Sequence, residues 1–221
     1  MHNNILRHTF LGLLLFIGVA FTFGQNPIRF QNITVDNVLS MGTATAVAKD
    51  MHGYVWIATA EGLHRYDGKY FKILKHKEGS SNTLTDSYVT SLLSHKGYLY
   101  IGNNLGTIDI MDETTEQITS LDLRTVYPEF DNKIEQLILY QNNVIIDTDG
   151  GGLWQYDPSV KKIRKVNINI LGRTEVNRML VDNGHLFLVT SSTIIKTDLN
   201  SSEQVFEDKN LLLTSIARYG N

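Results

Sequence analysis

A unit of about 45 residues recurs four times along this chain, a period that commits a sequence to repeated supersecondary structure. Trp56, Tyr100, Ile145 and Phe187 hold the same place in successive copies and head the tetrapeptides WIAT, YIGN, IIDT and FLVT, at spacings of 44, 45 and 42 residues. A second anchor is an aspartate that closes a later apolar segment: Asp67, Asp112, Asp157 and Asp198, spaced by 45, 45 and 41 residues. Gly62-Leu63 and Gly152-Leu153 open that segment in the first and third copies, with Gly106-Thr107 and Thr193-Ile194 in the others. Ahead of each tetrapeptide lies one more short apolar segment: AVAKD, VTSLLS, IEQLILY and NRMLVD. The pattern restarts at Leu213-Thr214-Ser215-Ile216.

Each copy therefore reads as four short strands. In the first these are Thr45–Lys49, Tyr54–Thr59, Gly62–Tyr66 and Phe71–Leu74, separated by the turn pairs His52-Gly53, Glu61-Gly62 and Asp67-Gly68. Glycine supplies the positive φ such turns need, and aspartate bonds its own turn amides. No stretch beyond the N-terminus keeps a 3.6-residue apolar period, so little helix is expected. Four-stranded repeats of this length, arrayed radially, make a β-propeller. The predicted fold is all-β, with blades of four antiparallel strands at residues 40–80, 84–125, 132–170 and 175–209 and the start of a further blade at 211–221.

Residues 1–24 read as a signal peptide: Arg7 supplies the positive end and Thr9–Phe23 an apolar run, before a polar start at Gln25. An uncleaved anchor is the alternative. Residues 25–221 then form the propeller region. The chain carries a net charge of −3 and no basic stripe, which argues against a nucleic-acid partner. It has no cysteine, so disulfides, thiolate metal sites and thiol catalysis are excluded.

The stretch DMHGYVWIATAEGLHRYDGKYF, Asp50 to Phe71, resembles the two-component regulator propeller repeat. The matching residues are Asp50, Gly53, Trp56, Ile57, Thr59, Gly62, Leu63, Arg65, Tyr66, Asp67, Gly68 and Phe71. The lead-in Phe30, Ile33-Thr34-Val35 and Leu39-Ser40 is similar to the family's start, and the third copy (DGGGLWQYDP) matches well. The second and fourth copies depart from it: Asn103 replaces the usual threonine, and the fourth lacks both the tryptophan and the glycine–leucine pair. The resemblance implies the periplasmic sensor region of a hybrid two-component system, with an oligosaccharide as ligand. Family members continue into further blades, a membrane helix and a histidine kinase. No histidine here is followed by an acidic residue, as a phosphoacceptor would be, and no P-loop or glycine-rich dinucleotide fingerprint occurs. The chain is expected to sense and not to phosphorylate.

Few residues suggest chemistry. Asp147-x-Asp149-Gly150-Gly151-Gly152 begins like a calcium loop, but its fifth position is Gly151 and its twelfth Pro158, where oxygen ligands are needed. It reads instead as a glycine-rich turn. Trp56, Trp154, Tyr66 and Tyr156 are either aromatic platforms for a ligand or inter-blade packing, and packing is the expected role. Of His64 and Arg65, adjacent on one strand, one is expected to face solvent. The repeated aspartates are expected to bond turn amides. No catalytic residue, cofactor or metal site is predicted, and ligand contacts are expected on loop tips that the sequence does not single out.

Closure of the ring has two solutions. An incomplete propeller, as the front piece of a longer sensor, leaves uncovered faces on its end blades, open to missing C-terminal domains or to self-association. A small closed ring would instead add Ile28–Val35 as an outer strand on the last sheet. The functional expectation is an extracytoplasmic, periplasmic ligand-sensing module. The alternatives are a stand-alone secreted binding scaffold and, least supported, a polysaccharide-active enzyme, for which no convergent acid–base set is recognisable.

Overall fold

The computed structural model describes residues 43–128, 132–172 and 174–218, all within one compact unit, Thr34–Asn221. The signal segment, the lead-in at Phe30–Ser40 and the Ile28–Val35 strand lie outside the described residues.

Among the described residues sixteen strands form four separate antiparallel sheets, each a meander of four consecutive strands. The first holds β1 (Ala44–Lys49), β2 (Val55–Thr59), β3 (Gly62–Tyr66) and β4 (Phe71–Leu74). The second holds β5 (Val89–His95), β6 (Tyr98–Asn103), β7 (Thr107–Asp112) and β8 (Ile118–Asp122). The third holds β9 (Ile134–Tyr140), β10 (Asn143–Thr148), β11 (Gly152–Asp157) and β12 (Lys162–Val166). The fourth holds β13 (Arg178–Asp182), β14 (His185–Val189), β15 (Thr193–Thr197) and β16 (Ser202–Glu207). The only helical piece among the described residues is a 3₁₀ turn, Leu123–Thr125. The anchors Trp56, Tyr100, Ile145 and Phe187 sit one or two residues inside their strands.

The innermost strands β1, β5, β9 and β13 stand side by side in that order, which is the propeller arrangement predicted from the repeat. Among the described residues the four sheets do not close into a ring. Each sheet has two largely apolar faces, so it is stable only when stacked. Three cores fill the seams. Trp56, Ala58 and Leu63 of blade 1 meet Val89, Leu99, Ile101 and Met111 of blade 2. Tyr100 and Ile108 of blade 2 meet Val144, Ile146 and Trp154 of blade 3. Tyr140, Ile145 and Leu153 of blade 3 meet Met179, Leu186, Leu188 and Ile195 of blade 4. Each large side chain buried this way contributes about 2–3 kcal/mol.

Trp56 and Trp154 are buried, Tyr156 nearly so, and Tyr66 stacks on Phe71. These aromatics pack between and within blades. His64 is fully buried; Arg65 is partly covered, its guanidinium 4.6 Å above the Tyr54 ring and paired with Glu116 of the next blade. Neither side chain of this pair is free in solvent, contrary to the expectation for one of them. Burial holds the His64 imidazole below its usual pKa, with Lys75 adding to the effect. On the face of blade 1 turned from blade 2, Ile57, Thr59 and His64 are buried while Val47 and Ile73 are exposed. The outer strand β16 of blade 4 is exposed throughout.

Of the predicted restart of the repeat at 211–221, the described residues, 211–218, form no strand. Residues 211–218 are irregular, and Leu213 is held by blade 4 instead: its N–H donates to the Ser191 carbonyl at 2.8 Å and its carbonyl accepts from Asn177 Nδ2 at 2.6 Å. A single strand has no ladder partner here, so its backbone groups are satisfied by the neighbouring loops.

Candidate functional site

At one end of each sheet the start of the innermost strand meets the turn between the second and third strands, and in blades 2 to 4 the connection from the preceding blade joins them there. The innermost strand bulges there in blades 1 to 3. Thr45, Thr90 and Glu135 are each skipped in the pairing with the second strand. A bulge leaves one residue unpaired and re-aims its side chain. In blade 1 the extra residue ties one blade to the next, Thr45 Oγ1 donating to the Val89 carbonyl at 2.6 Å.

The second strand closes with a turn-capping residue in every copy. Thr59 and Thr148 donate to the Gly62 and Gly152 carbonyls, and Thr190 Oγ1 accepts from the Thr193 amide. Asn103 does the same work in blade 2, accepting from the amides of Leu105 and Thr107. The residue before the cap is buried and small or apolar in three blades: Ala58, Gly102 and Val189. In blade 3 it is Asp147.

Asp147 is 3% exposed. Burial pushes its carboxyl up to about 8, with the charges of Glu135 and Asp149 adding to the effect. At neutral pH it is therefore mostly protonated, able to donate as well as accept. Its Oδ2 accepts from Gln136 Nε2 at 3.2 Å. Gln136, paired opposite it across β9 and β10, reaches into the next blade: Nε2 also donates to the Asn177 carbonyl at 3.1 Å, and Oε1 accepts from the Met179 amide at 3.0 Å. One side chain thus joins the buried carboxyl to the edge of β13.

Asp147 lies at the floor of a two-lobed cleft. One lobe, about 450 Å³, is bordered by Glu135, Gln136, Asp149, Asn177 and Thr214. The other, about 560 Å³, is bordered by the Gly150–Gly152 turn, Lys165, Asn167 and Thr174. Asp147, Thr148, Gly150, Glu175 and Val176 line both. Lys133 Nζ lies 2.7 Å from Glu135 and 3.5 Å from Asp149, offsetting part of the negative charge at the rim. The ammonium of Lys165 sits over the rings of Tyr127 and Trp154, at 5.2 and 5.4 Å. Among the described residues no set of three or more histidine, aspartate or glutamate side chains is arranged to hold a metal ion. The cleft is a polar, hydrogen-bonding site at the end of the sheets where propeller loops gather.

The sequence did not single out Asp147 as a site residue, although the signal was present. The third letters of WIAT, YIGN, IIDT and FLVT are Ala, Gly, Asp and Val, and only the third repeat places a charge where its companions are buried. The closing aspartates behave as expected. The Oδ1 atoms of Asp67, Asp112, Asp157 and Asp198 accept from amides two or three residues onward; these bonds hold Asp67, Asp112 and Asp198 below the usual range, and for Asp157 the Ser159 hydroxyl leads, followed by the Ser159 amide.

No protein-family model matches the chain, and no curated protein matches it in sequence. Several solved structures share its fold. The extracellular domain of BT3049 from B. thetaiotaomicron, assigned as a hybrid two-component system, superposes with a TM-score of 0.68 at 17% identity, over 79% of this chain and 26% of that one. The corresponding domain of BT4673 from the same organism gives 0.60 at 20% identity, over 77% and 25%. PorZ, a surface component of the type-IX secretion system of Porphyromonas gingivalis, gives 0.54 at 18%, over 73% and 22%. The chain spans about a quarter of the length of these proteins. At such identities the likeness establishes the fold. Among the described residues no helix is long and apolar enough to cross a membrane.

Proposed function

We propose that this chain is an extracytoplasmic ligand-sensing module of a two-component sensor, exported by residues 1–24 and carrying no kinase activity of its own. The observation that supports this reading is the superposition of most of the chain on an extracellular domain assigned to such a system, together with the repeat motif of the first blade. The ligand is an oligosaccharide, held by hydrogen bonds in the two-lobed cleft at blade 3. Asp147, Thr148, Glu175 and the amides of Gly150–Gly152 line that cleft, and this mix of donors and acceptors suits hydroxyl groups. Signalling requires domains beyond these blades, so the module is the N-terminal piece of a longer product.

The test is a blot of the native organism's envelope fraction with an antibody raised to residues 25–221. A band several times larger than the 25.0 kDa of this chain is expected. A band slightly below that mass would overturn the sensor reading and leave a short secreted binding protein.

A further inference from the structure

We propose that Asp147 and Gln136 form a proton-operated latch on the seam between blades 3 and 4, closed while the Asp147 carboxyl is neutral and released when it ionises.

The geometry carries the inference. Gln136 has two amide hydrogens and spends both, one on Asp147 Oδ2 at 3.2 Å and one on the Asn177 carbonyl at 3.1 Å. Its oxygen accepts the Met179 amide. The side chain thus bridges β9 to β13, adding a strand-like contact between two sheets that share no ladder. The corresponding residues of blades 1 and 2, Ala46 and Ser91, are too short to make it.

Ionisation changes the competition for those two hydrogens. A carboxylate attracts N–H donors about twice as strongly as a neutral oxygen does, and this one is shut away from water. The groups facing it offer little else. Glu135 on β9, Asp149 in the turn and Glu175 on the connection from blade 3 to blade 4 are negative. Lys133 is committed to Glu135 and Asp149. Lys165 of β12 lies over Tyr127 and Trp154 on the far lobe, and Arg178 of β13 borders a separate cavity along the inner strands with Glu135 and Gln136. The charge is relieved by turning the Gln136 amide group toward Asp147, and that rotation takes its nitrogen off the Asn177 carbonyl and its oxygen off the Met179 amide. The raised carboxyl, about 8, sets where this happens.

The latch does not depend on the identity of any ligand, and its test uses none, so its failure would leave the sensor reading standing. Amide hydrogen exchange of the full chain, corrected for intrinsic pH dependence, is followed from about pH 6 to about pH 9.5. The Met179 amide is expected to lose protection by at least about tenfold with a midpoint near 8, while the Val144 amide in the core of blade 3 stays protected. Asp147→Asn, which keeps an acceptor for Gln136 but cannot ionise there, is expected to flatten the Met179 profile. Gln136→Leu is expected to leave Met179 unprotected at every pH. A flat wild-type profile, or the same titration in Asp147→Asn, overturns the latch. Should Asp147→Asn not fold, the carboxyl ¹³C shift of Asp147 in the wild type decides: a midpoint matching that of Met179 supports the latch, and one more than about a unit away overturns it.

Discussion

The carboxylate of Asp50 accepts the indole N–H of Trp56 at 2.8 Å, across the tight turn that joins β1 to β2. Its other oxygen accepts the amides of His52 and Tyr54, both at 2.9 Å. The spacing Asp-x-x-Gly-x-x-Trp thereby acquires a physical reason. Gly53, at φ +90°, lets the chain reverse, and the reversal brings the tryptophan's only polar atom to the residue that caps the turn. Trp56 can then be buried completely in the seam with blade 2 without an unsatisfied donor.

Removing that acceptor strands a buried indole N–H and two turn amides. Asp50→Ala is expected to destabilise the fold by about 2–4 kcal/mol, lowering Tm by roughly 4–16 °C for a chain of this size. Asp50→Asn preserves the shape but can set an amide N–H against the indole N–H, and should recover at most part of the loss. Thermal unfolding followed by tryptophan fluorescence measures both. An Asp50→Ala protein as stable as wild type would show that water replaces the carboxylate.

A second prediction concerns the seam between blades 2 and 3. Gly102 has no positive φ to explain it; what it lacks room for is a side chain. A Cβ there would collide with Ser91 Oγ on β5 of its own sheet and come within 2.6 Å of Ile134 Cγ2, on the innermost strand of the next blade. Gly102→Ala must push β6 away from β9 or force Ile134 off its rotamer, at a cost of about 1–3 kcal/mol. Urea unfolding should show a lower midpoint, and Gly102→Ala should cost less in an Ile134→Ala background, which lacks Cγ2, than in the wild type. Gly102→Ala as stable as the wild type would mean that the seam has slack.

The fold was legible because the period is carried by residues with local jobs. Trp56 and its equivalents mark the second strand, and Asp67, Asp112, Asp157 and Asp198 mark the turn after the third. Local chemistry of this kind is written in short windows. The functional end of the molecule was not, since it depends on relations between blades. That Gln136 reaches β13 follows from a bulge at Glu135 and from how adjacent sheets stack, neither of which leaves a mark in the sequence of blade 3. Asn103 illustrates the same limit from the other side: it departs from the repeat's threonine, yet takes over the same capping role with a different donor–acceptor set.

The four turn aspartates give an acid-side prediction. Backbone amides hold the Asp67, Asp112 and Asp198 carboxyls below their usual range, and the Ser159 hydroxyl leads in doing so for Asp157. A carboxyl depressed in the folded state contributes stability that is present above its unfolded value, near 3.8, and is lost as the pH falls through the folded one. These sites are exposed, so the effect should appear as local loosening. In Asp112→Ala, hydrogen exchange at Thr114 and Thr115, whose amides donate to Asp112, should be fast at neutral pH, with Tm nearly unchanged. Unchanged exchange there would show that the backbone holds the turn alone.

Asp147 predicts a pH dependence of the opposite sign. Its carboxyl is raised in the folded state, from about 3.8 to about 8, because burial and the neighbouring Glu135 and Asp149 disfavour its charge. The folded chain therefore holds this proton more tightly than the unfolded chain does. Its contribution is fully present below about pH 4 and is lost progressively as the pH rises to about 8, at up to about 1.4 kcal/mol per pH unit. Asp147→Asn removes the titration while keeping the shape and a hydrogen-bond acceptor. Urea unfolding of both proteins between pH 5 and 9 should give curves that diverge with pH, the variant becoming the more stable by at least about 1 kcal/mol at the alkaline end. Parallel curves would mean that the carboxyl titrates in the ordinary range, through water reaching it from the cleft.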